Sequence, residues 1–178
     1  MTSGEVLTQL TIWIVILGYA SGTVAFALSR NKHRGDSIAR LAWTIAIIGL
    51  LAHLFCAFQF YHGWSENAAY RETARQTDEV VGLNWGGGLY VNYAVIIGWV
   101  VDVGWWWVRG VGSYRRRPWF LMAAWHGFLI FIIFNATVVF KTGFVRWVGL
   151  CVCLGLSLVW WLALMNSPKS DELVAARD

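Results

Sequence analysis

Charge is what this chain has least of. Asp, Glu, Lys and Arg make up 13% of its 178 residues, against about 25% in an ordinary soluble domain, so a well-solvated globular surface is excluded. Proline is nearly absent, at two residues, and leaves long segments free to stay helical. Three cysteines cannot build a disulfide framework, and no Cys-x-x-Cys-His, His-Glu-x-x-His or Ser-His-Asp order occurs to carry haem attachment, zinc hydrolysis or acyl transfer. The first five residues hold one acid and no base. A cleaved leader wants a basic start, so the first apolar stretch reads as a retained helix.

What remains is overwhelmingly apolar, 58% hydrophobic and 16% aromatic. A helix needs about 20 apolar residues to cross about 30 Å of hydrocarbon. Five stretches qualify, at about 8–29, 41–61, 89–108, 119–140 and 147–165, which leaves no room for a second domain. The expected fold is therefore all-α: one membrane domain over 1–178, a bundle of five transmembrane helices with one extracytoplasmic interfacial helix. That extra helix is expected at about 65–81. Ser65 can cap it, Glu66 sits in its first turn, Arg75 and Glu79 are four apart, and Gly82 can end it.

Net charge +4 does not imply a nucleic acid, because the bases cluster as membrane topology demands. Arg30, Lys32, Arg34 and Arg40 lie between the first two stretches, and Arg109, Arg115, Arg116 and Arg117 between the third and fourth. Positive residues mark cytoplasmic loops. The N-terminus is then outside and the C-terminus inside, in a bacterial inner membrane. Pro168 stops the last helix, and the polar residues after it form a solvated end. Most of the thirteen tryptophans, including Trp43, Trp85, Trp105 to Trp107, Trp119 and Trp160, fall near helix ends and read as an interfacial belt. Cys56, Cys151 and Cys153 read as small buried hydrophobes. Gly18 and Gly22, four apart, allow close helix packing, and His53 shares a helix face with Ala46, Gly49 and Ala57.

Ionisable groups inside a membrane are the default pointers to function. At about 1.5 Å per residue, Asp102 lies about 9 Å and His126 about 10 Å from the cytoplasmic border, whereas His53 lies about 18 Å from it. Asp102 and His126 are thus level, and a carboxylate–imidazole contact is open to them. The competing partner for Asp102 is Arg109, seven residues on and nearly on the same face. Asn92 and Tyr93 add polar groups to the third stretch. A second reading makes His53 and His126 axial ligands of a haem in a membrane redox subunit, although their depths differ by about 8 Å. A third assembles an outer-loop site from His62, Glu66, Asp78 and Glu79. Gly86, Gly87 and Gly88 form either a backbone binding loop or a tight re-entry turn; no phosphate-binding lysine accompanies them, and no metal set is expected.

The segment "HGWSENAAYRETARQTDEVVGLNWGGGLYVNY" followed by "DVGWWW" resembles a family of small, uncharacterised bacterial polytopic membrane proteins. That resemblance implies membrane location and supplies no activity, cofactor or catalytic residue. Five spans and abundant tryptophan are also shared with the tryptophan-rich sensory proteins, which bind porphyrins, but the proline and tryptophan pattern of that family is missing here. The expected function is an integral membrane protein with an intramembrane polar site at Asp102 and His126. It would handle a small ligand or a proton, or serve as an accessory subunit, in contact with lipid and as a homo-oligomer or part of a larger complex.

Overall fold

The computed structural model describes residues 2–29 and 33–165. Arg30, Lys32 and the tail after Met165, with Pro168, lie outside the described residues. Among those described there are helices and no strands. They run α1 Ser3–Leu28, α2 His33–Ala57, α3 Glu66–Val81, α4 Gly88–Arg115, α5 Trp119–Phe134 and α6 Gly143–Met165. All but α3 belong to the five segments long and apolar enough to cross a membrane. In hydrocarbon each backbone polar group must be paired within its own segment, and a helix achieves this. The protein is an all-α membrane protein.

Two of the spans end in π turns, Phe58–His62 after α2 and Asn135–Val139 after α5. The second carries side chains that compete for backbone acceptors. Asn135 Nδ2 donates to Phe131 O and Thr137 Oγ1 to Ile133 O, each at 2.7 Å, and such back-bonding perturbs the helical ladder. The strongest packing joins α1 to α2. Gly18 faces Ala46 and the Ala42 carbonyl, Gly22 faces the Trp43 ring, and Gly49 meets Ile14 and Val15. The small-residue spacing of α1 is therefore used within the chain. His53 turns to the same seam, with Nδ1 at 3.0 Å from Thr8 O.

Helix α3 lies across one end of the bundle, which we call the α3 end; the arginine-rich loops mark the basic end. Ser65 Oγ accepts from Ala68 N at 3.2 Å, and Gly82 closes the helix at φ 71° with its N–H on Asp78 O. Arg75 pairs with Glu72 and Glu79 on the exposed face. Hydrogen bonding from Arg75 holds the Glu72 carboxyl down at about 2. Because that value is depressed, any stabilisation is present above the ordinary carboxylate range and fades as pH falls through about 2; solvent exposure keeps it small. Ala69 and Ala74 face the bundle. Gly86 and Gly87 are buried: a Cβ on Gly86 would strike the Tyr70 carbonyl, and one on Gly87 the Trp85 ring. The triple glycine is thus a close-packed re-entry turn between α3 and α4. Ser65→Ala is expected to cost α3 about 1 kcal/mol, read as faster amide exchange across Ala68–Tyr70. Gly86→Val should loosen the whole of α3 in the same measurement.

The tryptophans divide into two groups, which corrects the belt reading. Trp119 and Trp147 are well exposed, at 70% and 65%, but Trp43 and Trp106 are fully buried and Trp99 and Trp160 nearly so. These four sit in the bundle core with Tyr19, Phe26 and Tyr114. Of the cysteines, Cys153 is buried, Cys56 half-buried and Cys151 exposed. Residues two apart diverge by about 200° around a helix, so Cys151 and Cys153 cannot share a face.

Candidate functional site

The core closes around His126. Its imidazole is 1% exposed, stacks on Trp160 at 4.0 Å between ring centroids, and has Trp43 at 5.0 Å and Tyr19 at 6.0 Å. Both ring nitrogens are occupied: Nδ1 lies 3.0 Å from the Tyr19 hydroxyl and Nε2 lies 3.3 Å from the Tyr114 hydroxyl. Tyr114 in turn donates to Asp102 Oδ2 at 3.0 Å, and Arg117 pairs with Oδ1 of the same carboxylate.

This geometry fixes who donates. Tyr114 has one hydrogen, given to Asp102, so its oxygen must accept from His126; Nε2 then carries the ring proton. Nδ1 of a neutral imidazole is left as an acceptor, and Tyr19 donates to it. Every donor in the chain Tyr19, His126, Tyr114 points toward the Asp102 carboxylate, whose charge Arg117 balances. A concerted shift of three protons along it would move one proton from Tyr19 to Asp102 with no heavy atom displaced. Thr23 and Trp160 lie beside the Tyr19 hydroxyl, with Thr23 Oγ1 and Trp160 Nε1 buried and outside full hydrogen-bond geometry to any partner among the described residues. The usual acceptor for a helical threonine is the carbonyl four residues back. Here that carbonyl, Tyr19 O, receives Trp43 Nε1 at 3.2 Å.

The backbone explains why Tyr114 and Arg117 reach the core. Within α4, Gly110 has φ 73° and ψ 171°, a conformation closed to residues with a Cβ. The chain bends there, and the last turn places Tyr114 against Trp106, their rings stacked at 4.4 Å. Arg117, just before Pro118 opens α5, lies with its guanidinium 4.3 Å from the Tyr114 ring centre. Arg109, the competing partner for Asp102, instead covers Trp105 at 5.2 Å. Asp102 and His126 therefore share one hydroxyl and make no direct hydrogen bond. A second buried carboxylate fastens the same end. Asp36 accepts from Ser29 Oγ at 2.8 Å and pairs with Arg115, which also reaches Phe26 O at 3.0 Å.

The other candidate residues lie elsewhere. His53 and Asn92 line a cavity of about 1020 Å³ at the α3 end. Tyr93 sits in the same turn of α4 as Tyr90, their rings 6.3 Å apart. His62 borders a smaller cavity of about 660 Å³ with Tyr61, Arg71, Glu72, Arg75 and Gln76. Glu66 and Asp78 are exposed, Glu79 is held by Arg75, and no group of three potential metal ligands forms among the described residues; the outer-loop metal reading is set aside on that geometry. Nor do His53 and His126 fit a haem. They lie in separate sites, and both nitrogens of His126 are held by tyrosines with an indole stacked on its ring. Comparison with protein-family models, curated proteins and solved structures finds no match.

Sequence reasoning singled out Asp102 and His126 but missed Tyr19, Tyr114, Arg117 and the Asp36–Arg115 pair. For Tyr114 and Arg117 a signal was available. Gly110 and Gly112 interrupt the helix just before Tyr114-Arg115-Arg116-Arg117, and a chain bent at a glycine can turn these side chains back into the bundle.

Proposed function

We propose that this protein is a proton-handling module of a bacterial inner membrane, with the basic end cytoplasmic and the N-terminus outside. Its working centre is the chain Tyr19–His126–Tyr114–Asp102, whose accepting end, at Asp102 and Arg117, faces the basic end. The observation that carries this reading is the fully buried imidazole with both nitrogens bonded to tyrosines, one of them bonded onward to an ion-paired carboxylate. Intramembrane ionisable groups so arranged are characteristic of proton relays. If His126 takes a second proton, Nδ1 becomes a donor and the Tyr19 hydroxyl must rotate to accept. Its own hydrogen then turns toward Thr23, whose oxygen has no other partner among the described residues. The buried unsatisfied hydroxyl, costly in a static core, thus has a use in the second state. The arginine clusters of the two loops support the orientation. A periplasm-only reporter fused after Ser113 is expected to be inactive.

Trp160 supplies the readout, because its indole stacks directly on His126 and a protonated imidazole should quench it. Acidifying the wild-type protein is expected to lower tryptophan emission reversibly. The acid-dependent component should vanish in Trp160→Phe and in His126→Gln, and its midpoint should move in Tyr114→Phe. An identical response in wild type and His126→Gln would reject the assignment.

A further inference from the structure

Tyr114 donates to an acceptor on its own helix, Asp102, twelve residues earlier. In a straight helix that separation is about 18 Å, too far for one side chain to bridge, so the polar chain exists only because the segment 111–117 folds back. The break is at Gly110, where an added Cβ would meet nothing within 4 Å. Residue 110 is therefore a glycine for its dihedral angles, φ 73° and ψ 171°, and not for want of space. Because the helical geometry stops there, α4 does not by itself decide where Tyr114 lies. Tertiary contacts of the segment must do so.

Two arginines supply them. Arg117 pairs with Asp102 on the body of α4, whereas Arg115 reaches the junction of α1 and α2. Its Nε donates to Asp36 Oδ1 at 3.1 Å and its Nη2 to Ser29 Oγ at 2.9 Å and Phe26 O at 3.0 Å, with the guanidinium 4.2 Å from the Phe26 ring centre. That junction suits a cation. Phe26 and Ser29 bring the C-terminal end of α1, where carbonyls lack helical partners, and Asp36 lies in the first turn of α2, where a carboxylate is favoured. Ser29 and Asp36 are 4% and 6% exposed, so the cluster belongs to the interior and not to a solvated loop. Tyr114 rests edge-on against the same Phe26 ring, at 5.8 Å between centroids. Tyr114 and Arg115 are neighbours in the chain, and a displacement of one displaces the other.

We propose that Asp36 and Arg115 are positioning residues for the polar chain. By tying the α1–α2 junction to the segment 111–117, they hold the Tyr114 hydroxyl where it accepts from His126 and donates to Asp102. This role, which rests on the proton reading for its purpose, makes the link between His126 and Asp102 depend on a contact that neither residue touches.

The test uses the full-length protein in detergent micelles with nitrogen-15 histidine, the His126 resonances being assigned by their loss in His126→Gln. Asp36→Asn and Arg115→Ala are each expected to move Nε2 in the direction in which Tyr114→Phe moves it, and to leave Nδ1, on the Tyr19 side, near its wild-type position. The double variant should go no further than Arg115→Ala alone, and Asp36→Glu, which keeps the charge, should stay near the wild type. The acid midpoint of the tryptophan emission should move in Asp36→Asn as it does in Tyr114→Phe. Gly49→Val, which crowds Ile14 in the α1–α2 seam, should lower the Tm without moving Nε2. Where Asp36→Asn does not fold, Ser29→Ala removes one acceptor of Arg115 and should give a smaller shift in the same direction. Three results would overturn the proposal: Nε2 unmoved in Asp36→Asn and Arg115→Ala, Nε2 moved equally by Gly49→Val, or Nε2 moved in opposite senses by the two variants, as losing a negative and a positive charge would do through space. An acid response missing from the wild type would reject the proton reading instead, and the Nε2 shifts would still decide whether Asp36 and Arg115 position Tyr114.

Discussion

Arg117→Ala is expected to be among the most destabilising single substitutions in this protein. Asp102 is 7% exposed and its charge is balanced by Arg117. Removing one partner of a buried pair costs about 3–5 kcal/mol, because the remaining charge is stranded. For a chain of this length that corresponds to a fall in Tm of roughly 6–20 °C. Asp102→Asn should cost less, since Arg117, at 22% side-chain exposure, can turn to the interface. Adding Asp102→Asn to Arg117→Ala should recover much of the loss. Thermal unfolding of the two single variants and the double variant in the same detergent measures this directly; strictly additive effects would show that the two side chains do not depend on each other.

Trp43→Ala is expected to have a comparable effect for a different reason. Trp43 is fully buried, its ring contacts Tyr19, Phe26, Trp106, Tyr114 and His126, and Gly22 is shaped to admit it. Large-to-small truncation of such an aromatic costs about 3–5 kcal/mol. In a bilayer, where lipid is as apolar as the core, packing carries this cost. The variant also frees the Tyr19 carbonyl, which becomes available to Thr23. Unfolding by a graded denaturing detergent should show the loss, and Trp43→Phe should restore part of it. An unchanged midpoint for Trp43→Ala would mean that this core is not the one that holds α1, α2 and α4 together.

The architecture was legible where chemistry leaves few alternatives. Long runs without charge must cross as helices. Ser65, Glu66 and Gly82 announce α3 by capping chemistry that operates within a few residues. Counting helical rise also placed Asp102 and His126 at one level, and the Tyr114 hydroxyl that both reach agrees with this. The tryptophans were misread because the same ring near a helix end suits either the headgroup region or a tapering core; what decides is whether neighbouring helices leave a hole, as Gly22 does for Trp43. Tyr114 and Arg117 were hidden by the bend at Gly110, which turns an apparent loop cluster back into the bundle. Asp36 went unnoticed for a related reason. An acid two residues from Arg34 reads as solvated, and only the long-range approach of Arg115 buries it.

The central claim is the direction of the hydrogen-bond chain, and the protonation state of His126 tests it most directly. Nitrogen NMR of the protein labelled at histidine, with His126 assigned by its loss in His126→Gln, reports which ring nitrogen holds the proton. The account predicts a neutral ring at neutral pH, with the proton on Nε2 and Nδ1 accepting from Tyr19. Tyr19→Phe should then shift Nδ1 alone, and Tyr114→Phe should shift Nε2. A proton found on Nδ1, or a ring doubly protonated at neutral pH, would contradict it.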